Sequence, residues 1–106
     1  MAVPIKFITV LKNIENIDFG DAPVFIKFGT DWCKPCQDLS EQLLKIPNSM
    51  CYYVNLDSDE FENVMDEYNF TTIPFTIVKY KKEKRNFSGV LSKDNIIEII
   101  NSMKNF

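Results

Sequence analysis

Two cysteines separated by two residues, Cys33 and Cys36, close the run Phe28-Gly-Thr-Asp-Trp-Cys-Lys-Pro-Cys36. An apolar strand leads into this run, Gly29 to Trp32 turn it, and the cysteines fall where a helix is expected to begin. A helix N-terminus carries unpaired N–H groups and the positive end of the macrodipole, so a thiolate forms readily there. Cys33 is the expected nucleophile and Cys36 its resolving partner. The competing chemistry for a lone C-x-x-C is half of a zinc site. Zinc usually takes four ligands, and the chain has no histidine and only one further cysteine, Cys51. Redox chemistry is the favoured reading, and no metal or other cofactor is expected.

The elements that must position these thiols have to fit into 106 residues. That length suits a single domain, 1–106, with a core that needs no disulfide staples. With 45% hydrophobic and 25% charged residues the composition is that of an ordinary globular protein, and a net charge of -3 argues against a nucleic-acid surface. The basic run Lys79 to Arg85 reads as a solvated hairpin or charged edge strand rather than a binding site. Lys6 and Lys12 interrupt the N-terminal apolar residues, so no leader is expected. No run reaches the roughly 18 apolar residues of a membrane span. Three cysteines, an odd number, suit thiols kept in a reducing compartment. The expectation is a cytoplasmic or otherwise intracellular monomer with no membrane partner.

Along the chain, Ile5 to Val10 reads as a first strand and Leu11 to Asp18 as a short helix ending at the loop Gly20 to Pro23. Val24 to Phe28, β-branched and aromatic, belongs at the sheet centre. Gln37 to Lys45 carries Leu39, Leu43 and Leu44 at helical spacing and should stop before Pro47. Cys51 to Leu56 is a second central strand. The acidic segment Asp57 to Glu62 opens a helix with Phe61, Val64, Met65 and Tyr68 on its apolar side, its charges complementing the dipole. Phe70 to Pro74 is a loop, Phe75 to Tyr80 and Lys84 to Ser88 a hairpin broken by Gly89, and Ser92 the N-cap of a last helix buried through Ile96, Ile100 and Met103. Helical connections imply parallel crossovers and the hairpin adds antiparallel strands, so the class is α/β with a mixed sheet flanked by helices on both faces.

Three motifs in this order, Trp32-Cys-Lys-Pro-Cys36, Thr72-Ile-Pro74 and Ser88-Gly-Val90, resemble the thioredoxin family, with near-family spacing and agreeing element order from about Ile5 to Lys104. The resemblance implies a thioredoxin fold in which Pro74 is cis and lies beside Cys33. It also implies that Ile73 offers its backbone to an extended substrate, and that Trp32, Pro74 and Gly89 shape a docking groove. Lys34 and Pro35 sit between the cysteines. Pro35 stiffens the first helical turn, and Lys34 is either a recognition residue or simply solvated. The implied activity is reduction of protein disulfides. Cys33 thiolate attacks, a mixed disulfide forms, and Cys36, expected to be the more buried thiol, releases the reduced substrate. A reductase or glutathione would return the electrons. A glutaredoxin-like or oxidase-like role at higher potential is the alternative within this chemistry. A non-catalytic binding module is the alternative outside it, and retention of both cysteines and the Thr-Ile-Pro loop speaks against that.

Lys27 marks a departure. Six residues before Cys33, thioredoxins usually carry a buried acid, and its usual lysine partner, counted back without gaps from Pro74, falls here at Asn55. Lys27 either snorkels to solvent or sits under the cysteine pair, held by Asn55 or Asp57. In the second case it loses its proton or stabilises a thiolate, which would raise the redox potential. The helix after Cys36 lacks the family's proline kink and is about three residues shorter if Asn55 is placed correctly. Cys51 reads as a buried, inert thiol, with regulatory oxidation the less favoured role.

Overall fold

All six residues of Val24–Gly29 are buried, which is what an apolar strand covered on both faces requires. In the computed structural model, which describes residues 5–7, 22–46, 49–57, 63–80 and 83–104 (the backbone alone for 5–7 and 104), this strand is the middle of five. The strands are β1 (Ile5–Phe7), β2 (Val24–Gly29), β3 (Met50–Asn55), β4 (Phe75–Tyr80) and β5 (Glu83–Ser88), in the order β1-β3-β2-β4-β5. β1 and β2 run parallel to β3, β4 runs antiparallel to β2, and β5 closes a hairpin on β4.

The helices are α1 (Lys34–Leu43), a single turn α2 (Val64–Glu67), and α3 (Lys93–Lys104). Successive strand residues point to opposite faces, which gives the sheet two cores. On one face Phe25, Cys51, Val78 and Tyr80 pack with Leu39 and Leu43 of α1 and with Ile96, Ile100 and Met103 of α3. On the other, Val24, Ile26, Phe28, Val54 and Ile77 pack with Val64 of α2 and with Phe70. The expected mixed sheet with helices on both faces is present. Ser92 caps α3 as expected, its Oγ accepting from the Asn95 N–H at 3.3 Å and its carbonyl from the Ile96 N–H at 3.0 Å. Gln42 of α1 adds a tie, its Oε1 accepting from the Lys93 N–H at 2.9 Å.

The expected helix Leu11 to Asp18 lies outside the described residues, as does most of the acidic segment that was to open α2. Leu44 is the C-cap of α1 and is exposed, because it lies off the helix stripe that Cys36, Leu39 and Leu43 bury. Within the basic run, Lys79 is buried rather than solvated, since β4 is covered along its whole length, whereas Lys84 and Arg85 on the edge strand β5 are exposed.

Candidate active site

The strand register gathers four loops at one end of the sheet. Phe28 pairs with Phe75, Phe75 with Ser88, and Gly29 with Asn55. The turn after β2, the loop before β4, and the exits of β5 and β3 therefore leave the sheet together. Cys33 follows the first of these as N-cap of α1, with its backbone extended. Cys36 lies in the first turn and is bridged to Cys33, with Cα atoms 5.2 Å apart, inside the range a disulfide spans without distortion. The Cys36 N–H donates to Cys33 Sγ at 3.2 Å, so one unpaired N–H of the helix start is aimed at the sulfur that carries charge when the bridge opens. Cys33 is 6% exposed and Cys36 1%, the expected order for an attacking and a resolving thiol. Pro35 occupies the first turn, where its missing N–H leaves no gap.

Lys34 turns away from the sulfurs. Its ammonium pairs with Asp38 one turn on at 2.9 Å, both side chains exposed, and this hydrogen bond raises its pKa.

Lys27 does not snorkel. It is 6% exposed, and its Nζ donates to the Cys36 carbonyl at 3.1 Å and, by a short hydrogen bond, to Ser40 Oγ. Its head group also lies over the Tyr53 ring, 4.7 Å from the centroid. Burial lowers its pKa, opposed by the fields of Cys51 and Asp31. Neither Asn55 nor Asp57 holds it. In register Lys27 stands beside Tyr53, and Asn55 stands beside Gly29, nearer the strand end. Asn55 Oδ1 accepts from the Asp57 N–H at 3.0 Å, and Asp57 Oδ2 accepts from Trp32 Nε1 at 2.9 Å.

The residues expected to shape a docking groove form a second group. The Ile73-Pro74 bond is cis. Gly89, at φ +78°, adopts a conformation that L side chains rarely take, and its N–H donates to the Pro74 carbonyl at 2.8 Å. Phe70 and Phe75, on either side of the Thr72-Ile-Pro74 loop, stack at 4.3 Å, and both pack on Phe28 of β2. Trp32, 72% exposed, is the large apolar side chain most open to a partner among the described residues.

Three contributors were not assigned from the sequence. A Cβ on Gly29 would lie 2.7 Å from Cys36 Sγ, so only glycine leaves the bridge its space. Ser40, at helical spacing from Cys36, carries a signal in the sequence; it returns a hydrogen bond to the Cys36 carbonyl at 3.2 Å. Tyr53 donates its OH to Asp31 Oδ1 at 3.1 Å, a pairing that depends on strand register. Cys51, read from the sequence as a buried thiol, is buried, and burial pushes its thiol up to about 12, in keeping with an inert role.

The family model for thioredoxin matches residues 7–102. A thioredoxin from Mycoplasma genitalium is 30% identical over 96 residues, covering 87% of this chain and 93% of that protein. One from Rickettsia bellii is 29% identical over 93 residues, covering 83% and 88%. Among solved structures, chloroplastic thioredoxin z superposes with a TM-score of 0.79 at 18% identity, covering 100% of this chain and 99% of that one.

Proposed function

Because the chain belongs to the thioredoxin family and is a protein-disulfide oxidoreductase acting by thiol-disulfide exchange, we propose that Cys33 is its nucleophile and Cys36 its resolving thiol. The observation that carries the assignment is the bridged pair at the start of α1, with the Cys36 N–H directed at Cys33 Sγ. Reduced Cys33 attacks a substrate disulfide, and that disulfide breaks as the mixed disulfide forms. Cys36 then attacks Cys33, the substrate leaves as a dithiol, and the protein keeps the bridge. Trp32, Ile73, Pro74 and Gly89 form the docking surface, with Gly89 fixing the Pro74 loop. Lys34 and Pro35 complete the rim, Lys34 as a solvated charge held by Asp38.

The electron source is a reductase or glutathione, and the working unit is a monomer of one domain, 1–106. A reducing intracellular compartment suits the buried thiol of Cys51, and no helix among the described residues is long and apolar enough to cross a membrane. The lysine bonded to the Cys36 carbonyl, where relatives usually carry an acid, favours thiolate in the reduced protein and so a potential above theirs. Reduction of a protein disulfide driven by a small dithiol tests the assignment. Cys33→Ser abolishes it, and Cys36→Ser accumulates a substrate-linked adduct. Turnover that survives Cys33→Ser rules the assignment out.

A further inference from the structure

The docking surface assigned above carries an indole with acidic groups at its edge. Trp32 is 72% exposed, and its ring is tethered, because Nε1 donates to Asp57 Oδ2 at 2.9 Å. Asp57 is steadied in turn by the link from its own N–H to Asn55 Oδ1 at 3.0 Å, a short side-chain-closed turn at the end of β3. An indole held by its edge N–H keeps most of its surface for a partner.

Asp31, the chain neighbour of Trp32, brings a second carboxylate, which accepts from the Tyr53 OH at 3.1 Å. Burial raises the Tyr53 pKa first, and the fields of Asp31 and Asp57 raise it further, so both carboxylates lie within electrostatic reach of one hydroxyl. Both residues are exposed, and among the described residues no ammonium or guanidinium pairs with either. Lys34 is drawn off by Asp38 at 2.9 Å, with Glu41 also within its field. Lys27 is bonded inside, to the Cys36 carbonyl and Ser40 Oγ. Two negative charges therefore flank an aromatic surface with no cation of the chain's own to balance them.

A cation is attracted by both parts of this arrangement, by the negative face of the ring and by the carboxylates. A guanidinium suits it better than an ammonium, since its plane stacks on an indole while its N–H groups reach a carboxylate. We propose that the protein selects disulfides with a basic residue, arginine above all, beside the attacked cysteine, its side chain stacked on Trp32 and paired with Asp57. The inference rests on the thiol-disulfide exchange described above and adds the substrate class to it. An acidic flank meets Asp31 and Asp57 as like charges, and Lys34, already paired with Asp38, offers it little in return. The net charge of -3 favours approach of a basic partner from a distance as well.

The test offers reduced protein three cyclic peptide disulfides that carry arginine, citrulline or glutamate beside both cysteines and are otherwise identical. Citrulline keeps the shape of arginine without its charge. Each second-order rate is divided by the rate of the same peptide with dithiothreitol, which removes the effect of the flanking charge on the leaving thiol. At low ionic strength the arginine peptide is expected to react about tenfold faster than the citrulline peptide, the combined scale of an exposed ion pair and an exposed cation–π contact. The glutamate peptide should be the slowest. Asp57→Asn removes the charge but keeps an oxygen able to accept from Trp32 Nε1, and it should cut the arginine-to-citrulline ratio to about threefold, the share left to the ring. Salt gives a measurement that needs no substitution, because exposed contacts are screened and the ratio must shrink as ionic strength rises. A ratio near one in the unsubstituted protein, a ratio indifferent to salt or to Asp57→Asn, or a glutamate peptide as fast as the arginine one overturns the proposal. If none of the peptides is reduced, the exchange reading falls and the proposal with it. If all are reduced at one normalised rate, the exchange reading stands and only the proposal falls.

Discussion

An ammonium taken out of water loses its hydration, and at Lys27 two hydrogen bonds and an aromatic face offset only part of that loss. Replacing it leaves no orphan, because the Cys36 carbonyl still accepts from Ser40 Oγ. Lys27→Met is therefore expected to be more stable at neutral pH by about 1 kcal/mol or more, read as a higher denaturant midpoint of the oxidised protein. A lower midpoint would mean that the hydrogen bonds outweigh desolvation. Gly29→Ala goes the other way. The new Cβ meets Cys36 Sγ at 2.7 Å, and the bridged sulfur cannot rotate aside whereas a free thiol can. The oxidised form should lose about 1.4 kcal/mol relative to the dithiol, which makes the couple about 30 mV more oxidising in glutathione buffer. An unshifted equilibrium would show that the sulfur yields equally in both states. At this scale Cys33 and Cys36 were legible from type and spacing alone, and Lys27 from the sign of its charge. What holds Lys27 was not. Counting without gaps pointed to Asn55, and strand pairing chose Tyr53.

Periodicity exposes a helix only when the helix is long enough to repeat. α1 and α3 were read closely, each with a buried stripe at three- and four-residue spacing, and of the helix expected after the acidic segment the described residues show the single turn α2, with Val64 buried as its apolar side requires. The strands were legible by composition, and their order followed in outline from the crossovers. Their relative stagger, which brings the ends of β2 and β5 and the start of β4 together, is written in no local pattern. The tie between α1 and α3 is of the same kind, since Gln42 reaches an N–H of Lys93 from far away in sequence. Gln42→Ala leaves that N–H to water and should cost about 1 kcal/mol. Amide exchange would quicken at the start of α3, with disulfide-exchange kinetics unaltered. An unchanged exchange profile would mean that Ser92 alone caps the helix.

For the molecule as a whole, buried titratable groups set the alkaline limit of stability. The Cys51 thiol is raised from its ordinary 9.0 to about 12, so the unfolded chain gives up that proton first. The stability it contributes is complete below about pH 9 and drains away as pH climbs toward 12. Tyr53, also raised, adds to the same loss. Lys27 has the opposite sign. Its lowered pKa makes the unfolded chain the better proton binder up to 10.5, and stability is regained over that interval. Denaturant midpoints of the reduced protein should fall through the alkaline range, and Cys51→Ala should flatten the fall. A curve unaffected by Cys51→Ala would place the loss elsewhere.

The sheet order also sets a timetable for synthesis. Of the strands flanking β2, both β3 and β4 are made after it, and Gly89, whose N–H secures the Pro74 loop, comes later still. A strand without neighbours is not stable in water, so Cys33 and Cys36 leave the ribosome as ordinary flexible thiols. Cys51 follows close behind with nothing yet to bury it. Until the hairpin arrives, any of the three cysteines is free to pair with any other. A nascent chain therefore depends on reducing surroundings for its own correct assembly before it can reduce anything else.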